Sequence, residues 1–328
     1  LYIGELTKPV IGATNAVPGD EVGEAFFDRF LMRLPVGPVS EPGFLELLAL
    51  APAPEAPIPE AMAADERQAL AARAASVRVP DTVTGTLAEL RRHLADQGVY
   101  VSDRRWVKIV ALLRTAAASE SRAAVAVWDL WLLPWCAAPD AQHQADIEAW
   151  LEHRLGVREA LSPSRLTRVV EAFEAQLEVE RNANDLDYDE SGRLRFNAAV
   201  GDAVSDSKGA AQAMRLGPTR QRRYGPRHIA ARVGQIDELL RRCAGYAAEV
   251  AAFRADLAGF AAQSLWLDPS FAERADANLA ATGLAIRDLE ERARLARAGF
   301  AALPRLAETE AALAESEPEP VVHEALMP

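Results

Sequence analysis

"YVSDRRWVKIVALLR", residues 100–114, decides how the rest of the chain is read. Ile109, Leu112 and Leu113 recur at helical spacing, and Ser102 and Asp103 are residue types that start helices. The segment therefore reads as an amphipathic helix opening on two adjacent arginines, Arg104 and Arg105. A helix N-terminus carries partial positive charge and disfavours cations. A doubled arginine there implies something negative close by, such as a phosphate.

Outward from this helix the pattern stays helical. Helices are expected near 81–96, 102–118 and 126–137, the first started by Pro80-Asp81. Two more amphipathic helices fill 140–180, broken at "LSPS" (161–164). Upstream, "TKPVIGATN" (7–15) reads as a buried strand ending in a polar turn. A short helix follows over 20–34, then a second strand in "RLPVGPV" (33–39). "LAPAPEAPIPE" (50–60) is a Pro/Ala linker, and helical composition resumes over 60–75.

Downstream, residues 181–226 lose the helical period and are rich in Asp, Asn, Gly and Ser. "LDYDESGRLRF" suggests a small hairpin around Ser191-Gly192, inside an otherwise mobile insert. Periodicity then returns. Ile229, Val233, Ile236, Leu240, Cys243, Ala247 and Val250 form one seam; Leu279, Thr282, Ile286, Leu289, Ala293, Ala296 and Phe300 form another. Joined by "SLWLDPSF" (264–271), they predict an antiparallel helical hairpin. The acidic, Pro-containing tail "ESEPEPVVHEALMP" reads as disordered.

The chain has 328 residues, half of them apolar, enough for two or three domains with cores of their own. Its formal charge of −12 argues against broad contact with nucleic acid or an anionic membrane. The basic run "TRQRRYGPRH" (219–228) is the local exception, read as a solvated loop or a contact for an acidic partner. Cys136 and Cys243 lie far apart and the five histidines are scattered, so no metal site is expected. The longest apolar stretch, "AAVAVWDLWLLPWCAAP" (123–139), is interrupted by Asp129 and Pro134 and is too short to span a membrane. A reduced, cytoplasmic protein is the expectation.

Three features carry possible chemistry. Asn15, at the end of an apolar strand, could hold a water or touch a phosphate; on composition alone the plainer reading is a turn residue before Pro18-Gly19-Asp20. Arg29, in "FFDRF", could reach across a subunit boundary to neutralise a transferring phosphoryl group, or simply pair with Asp28 or Glu24. Arg104 and Arg105 form the third; the plainer reading has Arg105 in solvent and Arg104 paired with Asp103 or Glu89.

The order of these features is more specific than any one of them. "GATNAVPGDEVGEAFFDRFLMRLPVGPV", followed by the stretch from "VPDTVTG" through "VSDRRW" to "LLPWC", resembles the MoxR family of AAA+ ATPases, and within it the RavA branch. The later "LWLDPSFAERADANL" is similar to the helical region near that branch's C-terminus.

The resemblance implies roles residue by residue. Asn15 would be sensor 1, which positions the attacking water. Arg29 would be the arginine finger, offered to the ATP of the neighbouring subunit. Arg104 would be sensor 2, reaching from the helical lid onto the nucleotide, with Arg105 a second candidate. The wider family has Ser-Pro-Arg where this chain has Ser-Asp-Arg, which agrees with the RavA branch.

The implied activity is ATP-driven, chaperone-like remodelling of protein clients by a homo-oligomeric, hexameric ring. ATP and Mg²⁺ are the implied cofactors, and the implied partner is a protein carrying a von Willebrand factor A domain. No G-x-x-x-x-G-K-[ST] occurs in these residues, and no acidic run ends an apolar strand before Asn15. The chain should not hydrolyse ATP alone; it is expected to be the C-terminal part of a longer protein. The rival reading is a non-enzymatic helical adaptor with a degenerate ATPase remnant.

The expected fold is predominantly α with a small α/β portion. Residues 1–50 would be the end of the AAA+ α/β core and 51–79 a connector. The helical lid would cover 80–138. A helical bundle would use 139–180 and 227–305, interrupted by the insert at 181–226, which occupies the place of a partner-binding domain in the RavA branch and would be either partner-binding or disordered. Residues 306–328 would form the acidic tail.

Overall fold

A computed structural model describes residues 11–14, 26–50, 62–157, 161–186, 219–307 and 317–326. The fold is predominantly α-helical, as expected, with one two-stranded ladder among the described residues. It divides into two compact units. Unit 1 comprises Leu1–Glu152 with Gln263–Phe271, and unit 2 comprises His153–Ala262 with Ala272–Pro328.

Unit 1 begins with α1 (Glu41–Leu48), capped by the Ser40 hydroxyl, which accepts from the Gly43 amide at 3.3 Å. None of its residues is buried. Helix α2 (Ala64–Ser76) starts with the Glu66 carboxylate reaching back to the Ala63 amide at 2.8 Å. After Pro80 comes α3 (Asp81–Asp96), whose Val83, Leu87, Leu90 and Leu94 repeat at helical spacing and are all buried. It stops at Gly98, with φ +75°. The Gly98 amide bonds the Ala95 carbonyl and the Val99 amide bonds that of Leu94, the paired closure that a left-handed glycine permits.

Helix α4 (Asp103–Ser119) packs along α2 and buries Ile109, Leu113 and Ala116 to Ala118. A 3₁₀ turn (Val127–Leu132) leads into α5 (Leu133–Ala137), and α6 (Ala141–Arg154) follows. Trp128, Leu130, Leu133, Ile147 and Leu151 complete the core, each at most 1% exposed. Each such side chain stabilises the unit by roughly 1.5–3 kcal/mol through burial. Residues 123–125 pair with Arg78: the Arg78 amide donates to Ala123 and its carbonyl accepts from Val125, both at 3.0 Å.

Two strand expectations are not met among the described residues. Residues 11–14 have no regular structure and are exposed, the rest of the 7–15 expectation lying outside the described residues, and 33–39 form no strand. Pro35 and Pro38 remove two amide donors from the latter, and no described strand lies beside it.

Unit 2 contains α7 (Pro163–Asn182), α8 (Pro226–Ala261) and most of α9 (Pro269–Ala301). Bidentate ion pairs join Asp237 to Arg297 and Arg254 to Asp276. Moving forward along α8 moves backward along α9, so the hairpin is antiparallel as expected. All seven expected seam residues of α9 are buried. On α8 the buried row is Ile229, Arg232, Ile236, Leu239, Cys243, Tyr246 and Val250; the expected Val233, Leu240 and Ala247 are only half-buried.

Strands β1 (Asn184–Leu186) and β2 (Thr219–Gln221) pair antiparallel, with Asn184 opposite Gln221 and Leu186 opposite Thr219. They close the base of the insert; the hairpin expected around Ser191-Gly192 lies outside the described residues. The tail is not uniformly disordered: Val321 and Leu326 are buried. Arg232 donates to the Glu319 carbonyl and Arg242 to that of Leu326, both at 2.7 Å, while Arg165 and Arg168 flank the Glu324 carboxylate.

Candidate functional site

The first turn of α4 places the arginine pair. Ser102 sits in extended conformation before the helix, and its hydroxyl accepts from the Arg105 amide at 3.3 Å. That hydroxyl also donates to Asp28 Oδ2 at 3.1 Å. The two arginines then diverge. Arg104 is exposed, whereas Arg105 is 4% exposed.

Arg105 uses its whole guanidinium. Nε donates to Asp28 Oδ1 at 2.9 Å. Nη1 donates to the carbonyls of Leu31 (3.0 Å) and Cys136 (2.9 Å), and Nη2 to those of Asp28 (3.0 Å) and Phe30 (3.1 Å). A guanidinium has five N–H donors, and these five bonds occupy them. The negative counterpart required by the helix start is thus supplied, for Arg105, by Asp28 and four carbonyls.

The segment 26–33 is held elsewhere too. The Arg33 amide donates to the Trp135 carbonyl at 2.9 Å, and its guanidinium lies 4.4 Å over the Phe27 ring. Lys108, one turn beyond Arg104, donates from Nζ to the Arg29 carbonyl at 3.1 Å. Arg29 itself is exposed. The described residues therefore bring the Arg29 segment onto the helix carrying Arg104 and Arg105; Asn15 lies outside them.

Electrostatics follow from this crowding. Burial pushes the Asp28 carboxyl up, but the hydrogen bond and charge of Arg105, the Ser102 hydroxyl and the charge of Arg33 together hold it below its ordinary value. Burial and then the charge of Arg105 lower Arg33 to about 10, so it stays cationic at neutral pH. Burial pushes the Cys136 thiol up to about 12. Six cations (Arg29, Arg33, Arg91, Arg104, Arg105, Lys108) thus gather around two acids, Asp28 and Asp103, on a chain that is acidic overall.

Such a surface can receive an anion, and Arg29 and Arg104 are both exposed on it. A divalent metal is a different matter. Among the described residues no group of three or more His, Cys, Asp or Glu could hold one.

Asp28 and Lys108 were not singled out from the sequence as functional. Asp28 entered only as a partner for Arg29. The available signal was the repetition of Asp-Arg in "FFDRF" and "VSDRRW", each acid next to an arginine.

Residues 82–151 match the family model described as the AAA lid domain. The matched span runs from the second residue of α3 through most of α6. It points to a member of the AAA+ ATPase superfamily. No helix among the described residues is long and apolar enough to cross a membrane.

Proposed function

We propose that the chain is the lid-bearing part of a MoxR-type AAA+ ATPase of the RavA-like branch. The complete protein would use ATP to remodel protein clients, as a cytoplasmic hexameric ring working with a von Willebrand factor A domain protein. One observation carries the reading: the lid-domain match contains a helix start whose first arginine is exposed and whose second is fully engaged within the protein.

On this reading Arg104 is sensor 2 and Arg29 the arginine finger acting in trans, with Asn15 as sensor 1. The complete set of protein partners around Arg105 supports giving the nucleotide contact to Arg104. Phosphoryl transfer asks for positioning and charge neutralisation, which exposed guanidinium groups supply. Arg29 can reach a neighbour's phosphates only in an oligomer, so hydrolysis would require the ring.

The test uses the full-length protein. Arg104→Ala should weaken ATP affinity about ten- to hundredfold, the worth of a lost charge-assisted hydrogen bond. Arg29→Ala should leave affinity nearly intact and cut turnover about 10³-fold or more. Unchanged affinity in the first and unchanged turnover in the second would remove these two assignments, and a full-length parent that neither binds nor turns over ATP would leave the adaptor reading standing instead.

A further inference from the structure

We infer that Arg105 is a positioning residue that ties the arginine finger to the sensor 2 helix, so that one protomer's nucleotide contact and the group it offers its neighbour move as one piece. The inference rests on the roles proposed for Arg104 and Arg29.

The observation is the connection between two short segments far apart in the chain. Arg105 is adjacent to Arg104 and sits in the same helical turn. Its guanidinium grips the carboxylate and carbonyl of Asp28 and the carbonyls of Phe30 and Leu31, which bracket Arg29 on both sides. Ser102 holds the second oxygen of the same carboxylate, and Lys108 holds the carbonyl of Arg29 itself. The finger's backbone is therefore fastened to α4 at residues 28, 29, 30 and 31, by side chains from its N-cap and first two turns.

This has a chemical consequence. A rigid fork bonded to several carbonyls transmits a rotation of α4 to residues 28–31 with little slack. A lid that turns when Arg104 gains or loses a phosphate would therefore shift Arg29 relative to the adjoining subunit. Regulation of each site by the state of its neighbour follows without any further element.

The experiment compares Arg105→Lys and Asp28→Asn with Arg29→Ala and Arg104→Ala in the full-length protein, measuring ATP affinity, kcat and thermal melts. Lysine keeps the charge but cannot reproduce the fork. The expectation is that Arg105→Lys and Asp28→Asn lower kcat on the order of ten- to a hundredfold, the scale of a misplacement of about 1 Å. ATP affinity should hold in both. The double variant Arg29→Ala/Arg105→Lys should be no slower than Arg29→Ala alone, because a misplaced finger and a missing finger lose the same interaction.

A merely structural role would lower the melting point without this non-additivity. If Arg105→Lys does not fold, Lys108→Ala, which removes one exposed bond to the same backbone, should show the same kcat effect in smaller measure and the same masking by Arg29→Ala. Arg105→Lys that folds and keeps full kcat, or that is additive with Arg29→Ala, overturns the inference while leaving the proposed function in place. Loss of ATP affinity equal to that of Arg104→Ala overturns it too, by making Arg105 the nucleotide contact. Full kcat in Arg29→Ala removes both readings together.

Discussion

Two buried charges illustrate how single residues organise this chain. Arg105 has every donor bonded, and Glu180 of unit 2 is similarly enclosed. Its carboxylate accepts from Gln176 and Arg232 at 2.8 Å and lies 2.8 Å from His228 Nε2, while Tyr224 donates to its carbonyl. Glu180→Ala leaves Arg232 buried without its counter-ion and should cost about 3–5 kcal/mol in urea melts. Burial alone would raise the Glu180 carboxyl, but its hydrogen bonds from His228, Gln176 and Arg232 and the charge of Arg232 hold it below its ordinary 4.5. A carboxyl lowered by folding stabilises the fold in full above that value and loses its contribution as pH falls through the folded value. Wild type should therefore weaken on acidification below about pH 4.5 through this group, a component absent from Glu180→Gln in melts taken across that range. The arginine pair at 104–105 was visible in the sequence, and so was the need for a negative partner. Which of the two faces inward was not, because the deciding carboxylate, Asp28, lies 77 positions earlier. Only the packed fold sets that contact.

At the level of elements, local chemistry was the most readable. Starts at Pro80-Asp81 and Ser102, and the break at "LSPS", coincide with helix boundaries because capping is a short-range matter. The α9 seam was legible since small and apolar residues alternate cleanly with charge along it. On α8 two apolar rows compete, and the one through Arg232, Leu239 and Tyr246 looked less apolar in the sequence. It is nonetheless the buried row, and its one charge, Arg232, takes its partner, Glu180, from another helix. Two glycines give a prediction at this scale. Gly98 and Gly156 have φ of +75° and +76°. A Cβ at Gly98 would meet nothing within 4 Å, whereas at Gly156 it would lie 2.8 Å from Leu279 Cδ2 and 3.2 Å from Phe253. Gly98→Ala should cost about 1–2 kcal/mol from backbone strain alone. Gly156→Ala should cost a further 1–3 kcal/mol or so from overpacking, read from the same denaturant titration.

The whole molecule is organised by a chain that leaves unit 1 after Glu152, returns for Gln263–Phe271 and leaves again. The returning loop is held at the end of α4. Glu120 Oε1 accepts from the Ser264 hydroxyl and the Leu265 amide, both at 2.7 Å, and Trp266 Nε1 donates to Ser119. Arg122 braces Glu120 from the other side and reaches Asp129 as well. Glu120→Ala should strip hydrogen-exchange protection from the Leu265 amide while α3 and α4 amides keep theirs. Equal protection in variant and parent would show the loop held by other means. The sequence marked 264–271 only as a connection between helices, since nothing local reveals which surface a loop will meet. The same contact sets a timetable for biosynthesis. When residue 152 leaves the ribosome, Glu120 still waits for partners 144 and 145 positions downstream of it. At about 5–20 residues per second, the remaining synthesis takes several seconds or more. Until then a nascent unit 1 holds a carboxylate short of two donors, and that corner of it is finished only when its own chain returns.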